Sequence, residues 1–112
     1  MKITILIGSL LGGGAERVSC NIANYFNTQG HQVEIIVMSE TATTEPLDNT
    51  IKVVPLLKRE ERKSFLRNTI KRFIRFREYI KSSDSNCYIV FLPVTILLAL
   101  SQEKRINAPI II

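Results

Sequence analysis

Gly12, Gly13 and Gly14 stand together in this sequence, followed directly by Ala15, Glu16 and Arg17. A glycine run like this can hold an anion. Without side chains the backbone approaches a ligand closely. The first amides of a helix starting there are unpaired and lie at the positive end of its dipole. A phosphate or diphosphate is the natural occupant. The run is not a P-loop, which requires a Lys-Ser or Lys-Thr pair after its last glycine, where Ala15 and Glu16 stand here. Nor is it the dinucleotide fingerprint, whose third small residue, counted from Gly12 and Gly14, falls on Arg17. A plain strand-to-helix turn without a ligand is the competing account, and the entropic cost of ordering three glycines weighs against it.

Glu16 and Arg17 fall in the first turn of the expected helix. Arg17 is suited to hold an anionic ligand and Glu16 to order the loop; equally, they form a solvated acid near a helix start and a surface cation. His31 is the sole histidine and reads as structural, with no nucleophile or second carboxylate beside it to form a catalytic pair. Glu40 closes an expected strand where a dinucleotide fold places its ribose-binding acid, but the fingerprint that should precede it is missing. Cys20 and Cys87 have no metal-ligand spacing and are expected as reduced thiols.

The elements that hold these residues follow from hydrophobic periodicity. Ile3 to Ile7 is apolar on both faces, as a strand buried in a parallel sheet must be. Gly14 to Thr28 predicts a helix with Val18, Ile22, Ala23 and Phe26 on its sheet face, ended by Gly30. Val33 to Met38 predicts a second strand, Ser39 to Thr50 a surface loop, and Ile51 to Val54 a third strand stopped by Pro55. Lys58 to Ser82 predicts a long helix with two adjoining apolar stripes. Leu66, Ile70, Phe73, Ile74 and Ile80 form one; Phe65, Phe76 and Tyr79 form the other. Cys87 to Leu92 is a fourth strand bracketed by Asn86 and Pro93. Thr95 to Lys104 is a third helix, and Ile110 to Ile112 opens a fifth strand. Alternating strands and helices imply a three-layer, Rossmann-like α/β domain with a parallel sheet in the order 3-2-1-4-5. The glycine loop then lies at the carboxyl end of the first strand, next to the topological switch point where such folds bind ligands.

At 112 residues and 46% apolar composition the chain suits one globular domain. No apolar run approaches the ~20 residues needed to span a bilayer, and charge and glycine arrive too early for a secretory signal. The net charge is +5, but ten of the fifteen Lys and Arg residues lie between Lys58 and Lys81, opposed there only by Glu60, Glu61 and Glu78. The cations of the long helix, among them Arg67, Lys71, Arg72 and Arg75, either solvate an outer surface or attract anionic lipid headgroups. The aromatic residues fall at core spacing and make no stacking platform, so nucleic acid is not expected as a partner.

Gly13-Gly14-Ala15-Glu16-Arg17-Val18, then Asn21-Ile22-Ala23, then Gly30-His31-Gln32-Val33 resemble as a set the start of the retaining glycosyltransferases of family 4, of the bacterial polysaccharide-biosynthesis type. The resemblance is strongest over residues 1 to 38. It implies the GT-B architecture of two Rossmann-like domains, with this chain as a truncated N-terminal half that is inactive alone. It implies a nucleotide-sugar donor whose diphosphate lies near Gly12, Gly13, Gly14, Glu16 and Arg17. It also implies a saccharide or lipid-linked acceptor, no cofactor and no metal, and a cytoplasmic enzyme peripheral on the inner face of the membrane. The chain ends inside an apolar strand, which fits a truncated domain. Two other readings stay open: a nucleotide-binding Rossmann domain of another enzyme class, and a non-enzymatic basic module that binds membranes or nucleic acid.

Overall fold

A computed structural model describes residues 1–8, 14–38, 47–57, 64–82, 85–91 and 109–111. Along the chain these form β1 (Lys2–Ile7), α1 (Gly14–Thr28), β2 (Gln32–Val37), β3 (Lys52–Pro55), α2 (Phe65–Ser82), β4 (Cys87–Val90) and β5 (Ile110–Ile111). The strands make one parallel sheet in the order β3-β2-β1-β4-β5, the order expected from the sequence. The expected helix Thr95–Lys104 lies outside the described residues, as do residues 58–63 of the expected long helix.

The parity of each strand assigns its side chains to a layer. Ile3, Ile5 and Ile7 of β1 and Val33, Ile35 and Val37 of β2 pack with Cys20, Ala23, Ile22 and Phe26 of α1. Leu6 of β1, Ile36 of β2, and Tyr88 and Val90 of β4 pack on the opposite face with Phe76, Ile80 and Tyr79 of α2. The register Ile5↔Ile35 and Ile5↔Ile89 aligns the three central strands so that each layer is continuous. Asn86 holds the start of β4, donating its N–H to the Lys2 carbonyl and accepting the Lys2 N–H on Oδ1, each at 2.8 Å.

Some expectations are corrected. Val18, assigned to the sheet face of α1, is exposed, and Ser19 and Cys20 are buried. Pro55 is the last residue of β3 and pairs with Val37; β3 borders the described sheet, where a residue without an N–H is tolerated. The greatest departure is in α2, where Leu66, Ile70, Phe73 and Ile74 are exposed and only Ile80 of that expected stripe is buried. Phe76, with Tyr79 beside it, supplies the packing instead.

α1 ends as expected. Gly30 has φ +88°, the left-handed conformation that favours glycine. Its N–H donates to the Asn27 carbonyl (3.2 Å) and the His31 N–H to the Phe26 carbonyl (3.1 Å), the paired bonds of a Schellman motif. The His31 ring lies edge-on to Phe26 at 5.9 Å, so the sole histidine seals a helix end.

Candidate functional site at the carboxyl edge of the sheet

In a parallel sheet each crossover helix runs back against its strands and therefore starts at their carboxyl ends. Both described helices do so, on opposite faces. The chain leaves β1 through α1 toward β2, and leaves β3 through α2 toward β4 on the other side of β1. The switch point thus falls between the carboxyl ends of β1 and β4, beside the start of α1.

Gly14 opens α1 and is exposed; Glu16 is half-buried and Arg17 exposed in the same first turn. Glu16 puts an acid beside the helix start, and its carbonyl accepts the Ser19 hydroxyl at 2.9 Å. Among the described residues, a Cβ added at Gly14 would meet nothing within 4 Å. Gly12 and Gly13 lie outside the described residues.

The four cations expected on an outer helix surface divide into two pairs. Arg72 donates through Nε to the Met38 carbonyl, and Arg75 through Nη1 to the Leu56 carbonyl, each at 3.0 Å. Met38 follows β2 and Leu56 follows β3, so both arginines reach across to the carboxyl edge where the strand ladders end. Hydrogen bonds from a charged donor contribute about 1.5–3 kcal/mol each. These two cations fasten the helix to the sheet and are half-buried, as is Lys71, whereas Arg67 is exposed. Ser64 caps the helix weakly, its Oγ accepting the Arg67 N–H at 3.4 Å.

A polar cluster nearer the amino ends of the strands escaped the sequence reading. Thr4 is fully buried and Glu34 nearly so. Tyr79 of α2 donates its hydroxyl to Glu34 Oε2 (2.5 Å) and lies 3.1 Å from the Thr4 hydroxyl. Lys2 Nζ is 3.4 Å from Glu34 Oε1, and the Ser85 hydroxyl bonds Thr4. Each buried group here finds a partner, as burial demands. The one sequence signal was Glu34, a lone acid in an apolar strand. Helix α2 is thus held by Tyr79 near the amino ends of β1 and β2 and by Arg72 and Arg75 at the carboxyl ends of β2 and β3.

Neither cysteine is in a disulfide, and burial pushes the Cys87 thiol up from its ordinary value. Among the described residues no group of three His, Cys, Asp or Glu is placed to hold a metal ion. None of the described helices is long and apolar enough to cross a membrane.

No family model matches the chain. Over its whole length it is 30% identical to a Campylobacter jejuni enzyme, the GalNAc-alpha-(1->4)-GalNAc-alpha-(1->3)-diNAcBac-PP-undecaprenol alpha-1,4-N-acetyl-D-galactosaminyltransferase, and it spans 32% of that enzyme's length. This similarity supports a glycosyltransferase relationship. Among solved structures, the C-terminal domain of a Pyrococcus furiosus hydrogenase superimposes with a TM-score of 0.52 over 96% of this chain and 87% of that one. At 19% identity it shares the fold alone.

Proposed function

We propose that this chain is the N-terminal, acceptor-side domain of a retaining GT-B glycosyltransferase, which moves a sugar from a nucleotide-sugar donor to a saccharide or lipid-linked saccharide. Similarity over the full chain to a transferase whose name specifies an undecaprenol-linked acceptor carries this reading. The resemblance of Gly13-Gly14-Ala15-Glu16-Arg17 to the glycine loop of family 4 supports it, and so does the start of α1 beside the switch point. The amides of Gly12, Gly13 and Gly14 would face the donor diphosphate, with Arg17 contributing a charge-assisted contact. No metal or other cofactor enters this scheme. A lipid-linked acceptor would set the enzyme to work at the inner face of the cytoplasmic membrane.

Gly14 supplies the test. Because no described atom lies within 4 Å of a Cβ there, Gly14→Val should keep the fold and place its branched side chain in the path of the ligand. In the complete gene product, Gly14→Val should abolish transfer and donor binding with an unchanged thermal melt. Arg17→Ala should weaken donor binding less, by about 1.5–3 kcal/mol. A folded Gly14→Val enzyme with wild-type donor affinity and turnover would refute the diphosphate loop.

A further inference from the structure

Arg72 does more than fasten α2, because of what Met38 holds in turn. The Met38 carbonyl accepts the Arg72 Nε–H at 3.0 Å. The Met38 N–H donates to the carbonyls of Ile7 and Gly8, each at 3.1 Å. This N–H and C=O belong to the two peptide planes that flank the Met38 Cα, so holding both fixes the backbone there. The side chain is buried in the cluster around Phe76, about one turn along α2 from Arg72. On the other side of β1, Leu6 is bonded to the β4 strand, its carbonyl accepting the Phe91 N–H at 2.9 Å. Beyond Leu6, the Ile7 and Gly8 carbonyls accept from Met38.

We infer that Arg72 is a positioning residue for the glycine loop. It holds Met38 against Gly8, and so fixes the point from which the chain leaves β1 toward Gly12, Gly13 and Gly14. Residues that bind a ligand must be held to within about 0.5 Å, and a misplacement of about 1 Å can cost about 100-fold. A charged donor on α2 thus acts at a distance on backbone it does not touch. Its effect on the donor rests on the diphosphate reading of the loop; its hold on Gly8 does not.

Arg75 supplies a matched control. Its Nη1–H donates to the Leu56 carbonyl at 3.0 Å, and Leu56 donates its own N–H to the Val37 carbonyl at 2.9 Å. Charge, helix and bond length are alike. The backbone it holds, however, follows β3 and is bonded to β2, one strand further from β1. Loosening α2 should have the same effect at either arginine. Displacing the end of β1 should follow the loss of Arg72 alone.

The test compares Arg72→Met, Arg72→Gln and Arg75→Met in the complete gene product. Methionine matches the arginine side chain as far as Nε but has no donor, whereas glutamine puts a neutral N–H at the position of Nε. Hydrogen–deuterium exchange at the Met38 amide reads the hold on β1, and calorimetry with UDP, GDP, ADP and CDP reads the loop. Arg72→Met should speed exchange roughly tenfold and weaken binding of the nucleotide that the wild type takes roughly tenfold. Arg72→Gln, the milder change and the one that keeps the comparison if Arg72→Met does not fold, should lose about threefold in both. Arg75→Met should lower the melting temperature as much as Arg72→Met, yet leave exchange at Met38 and nucleotide affinity within about twofold of wild type. Wild-type exchange or wild-type affinity in folded Arg72→Met would overturn the positioning role, and so would equal losses in Arg72→Met and Arg75→Met. Faster exchange in Arg72→Met, with no nucleotide bound even by the wild type, would instead refute the diphosphate loop and with it any role of Arg72 toward the donor.

Discussion

Gly14 and Asp48 show how much a single position can carry. At Gly14 a Cβ would meet nothing within 4 Å among the described residues, so a side chain there is a clean probe of the proposed ligand contact. Asp48 accepts the Thr50 N–H at 2.8 Å and the Thr50 hydroxyl at 2.7 Å, in the turn that leads to β3. These bonds, the side-chain one first, hold its carboxyl below its ordinary value of 3.8. A folded-state pKa that is lowered contributes stability above the unfolded value, and this contribution is lost as pH falls through the folded one. Asp48→Ala should therefore lower Tm at neutral pH, and the gap from wild type should close at pH values well under 3.8. Melts across the acid range check this; a gap that persists unchanged in strong acid would contradict it. Because Asp48 is fully exposed, the gap should be small.

Helix α2 illustrates how an amphipathic segment with two apolar stripes settles on one. Phe73 and Phe76 are the same residue type three positions apart, yet Phe76 is fully buried against Leu6, Ile36, Tyr88 and Val90 while Phe73 is 39% exposed. Phe76→Ala should cost about 3–5 kcal/mol, whereas Phe73→Ala should cost about 1 kcal/mol or less. The arginines divide in the same way. Arg75→Ala removes a charged donor from the Leu56 carbonyl and should cost about 1.5–3 kcal/mol, against about 0.5 kcal/mol or less for exposed Arg67→Ala. Urea titrations of the four variants give these differences directly. Equal losses at Phe73 and Phe76 would mean that the packing face of α2 is misassigned.

The assembled sheet brings the starts of two helices to one edge. The start of α1 and the start of α2 lie on opposite faces, 50 residues apart in sequence from Gly14 to Ser64, yet both open at the carboxyl ends of the strands. The chain spans 32% of its Campylobacter jejuni relative, and in a two-domain transferase the donor lies in a cleft with a wall from each domain. The 112-residue chain by itself should accordingly transfer no sugar from any nucleotide sugar, while the complete gene product should. Turnover by the short chain, measured as release of free nucleotide dependent on acceptor, would contradict the two-domain proposal.

Much of the fold was readable before any coordinates. The two-faced apolar run of β1, the helical spacing through Phe26 and the left-handed need at Gly30 are local properties, set by side-chain period and backbone sterics over a few residues. Strand order followed too, because parallel strands joined by helices admit few right-handed arrangements. The start of α1 at Gly14 was visible for the same reason. What stayed hidden depended on partners distant in sequence. Both stripes of α2 satisfy helical periodicity equally well, and only the facing surface of Leu6, Ile36, Tyr88 and Val90 selects Phe76 over Phe73. Arg72 and Arg75 look like solvated cations until the ends of β2 and β3 present carbonyls within reach of their guanidinium groups. Glu34 looks like a misplaced acid until Tyr79 and Lys2 arrive from elsewhere in the chain. Periodicity shows that a helix has an apolar face, but burial is decided by which neighbour covers it, and that neighbour is supplied only by the folded sheet.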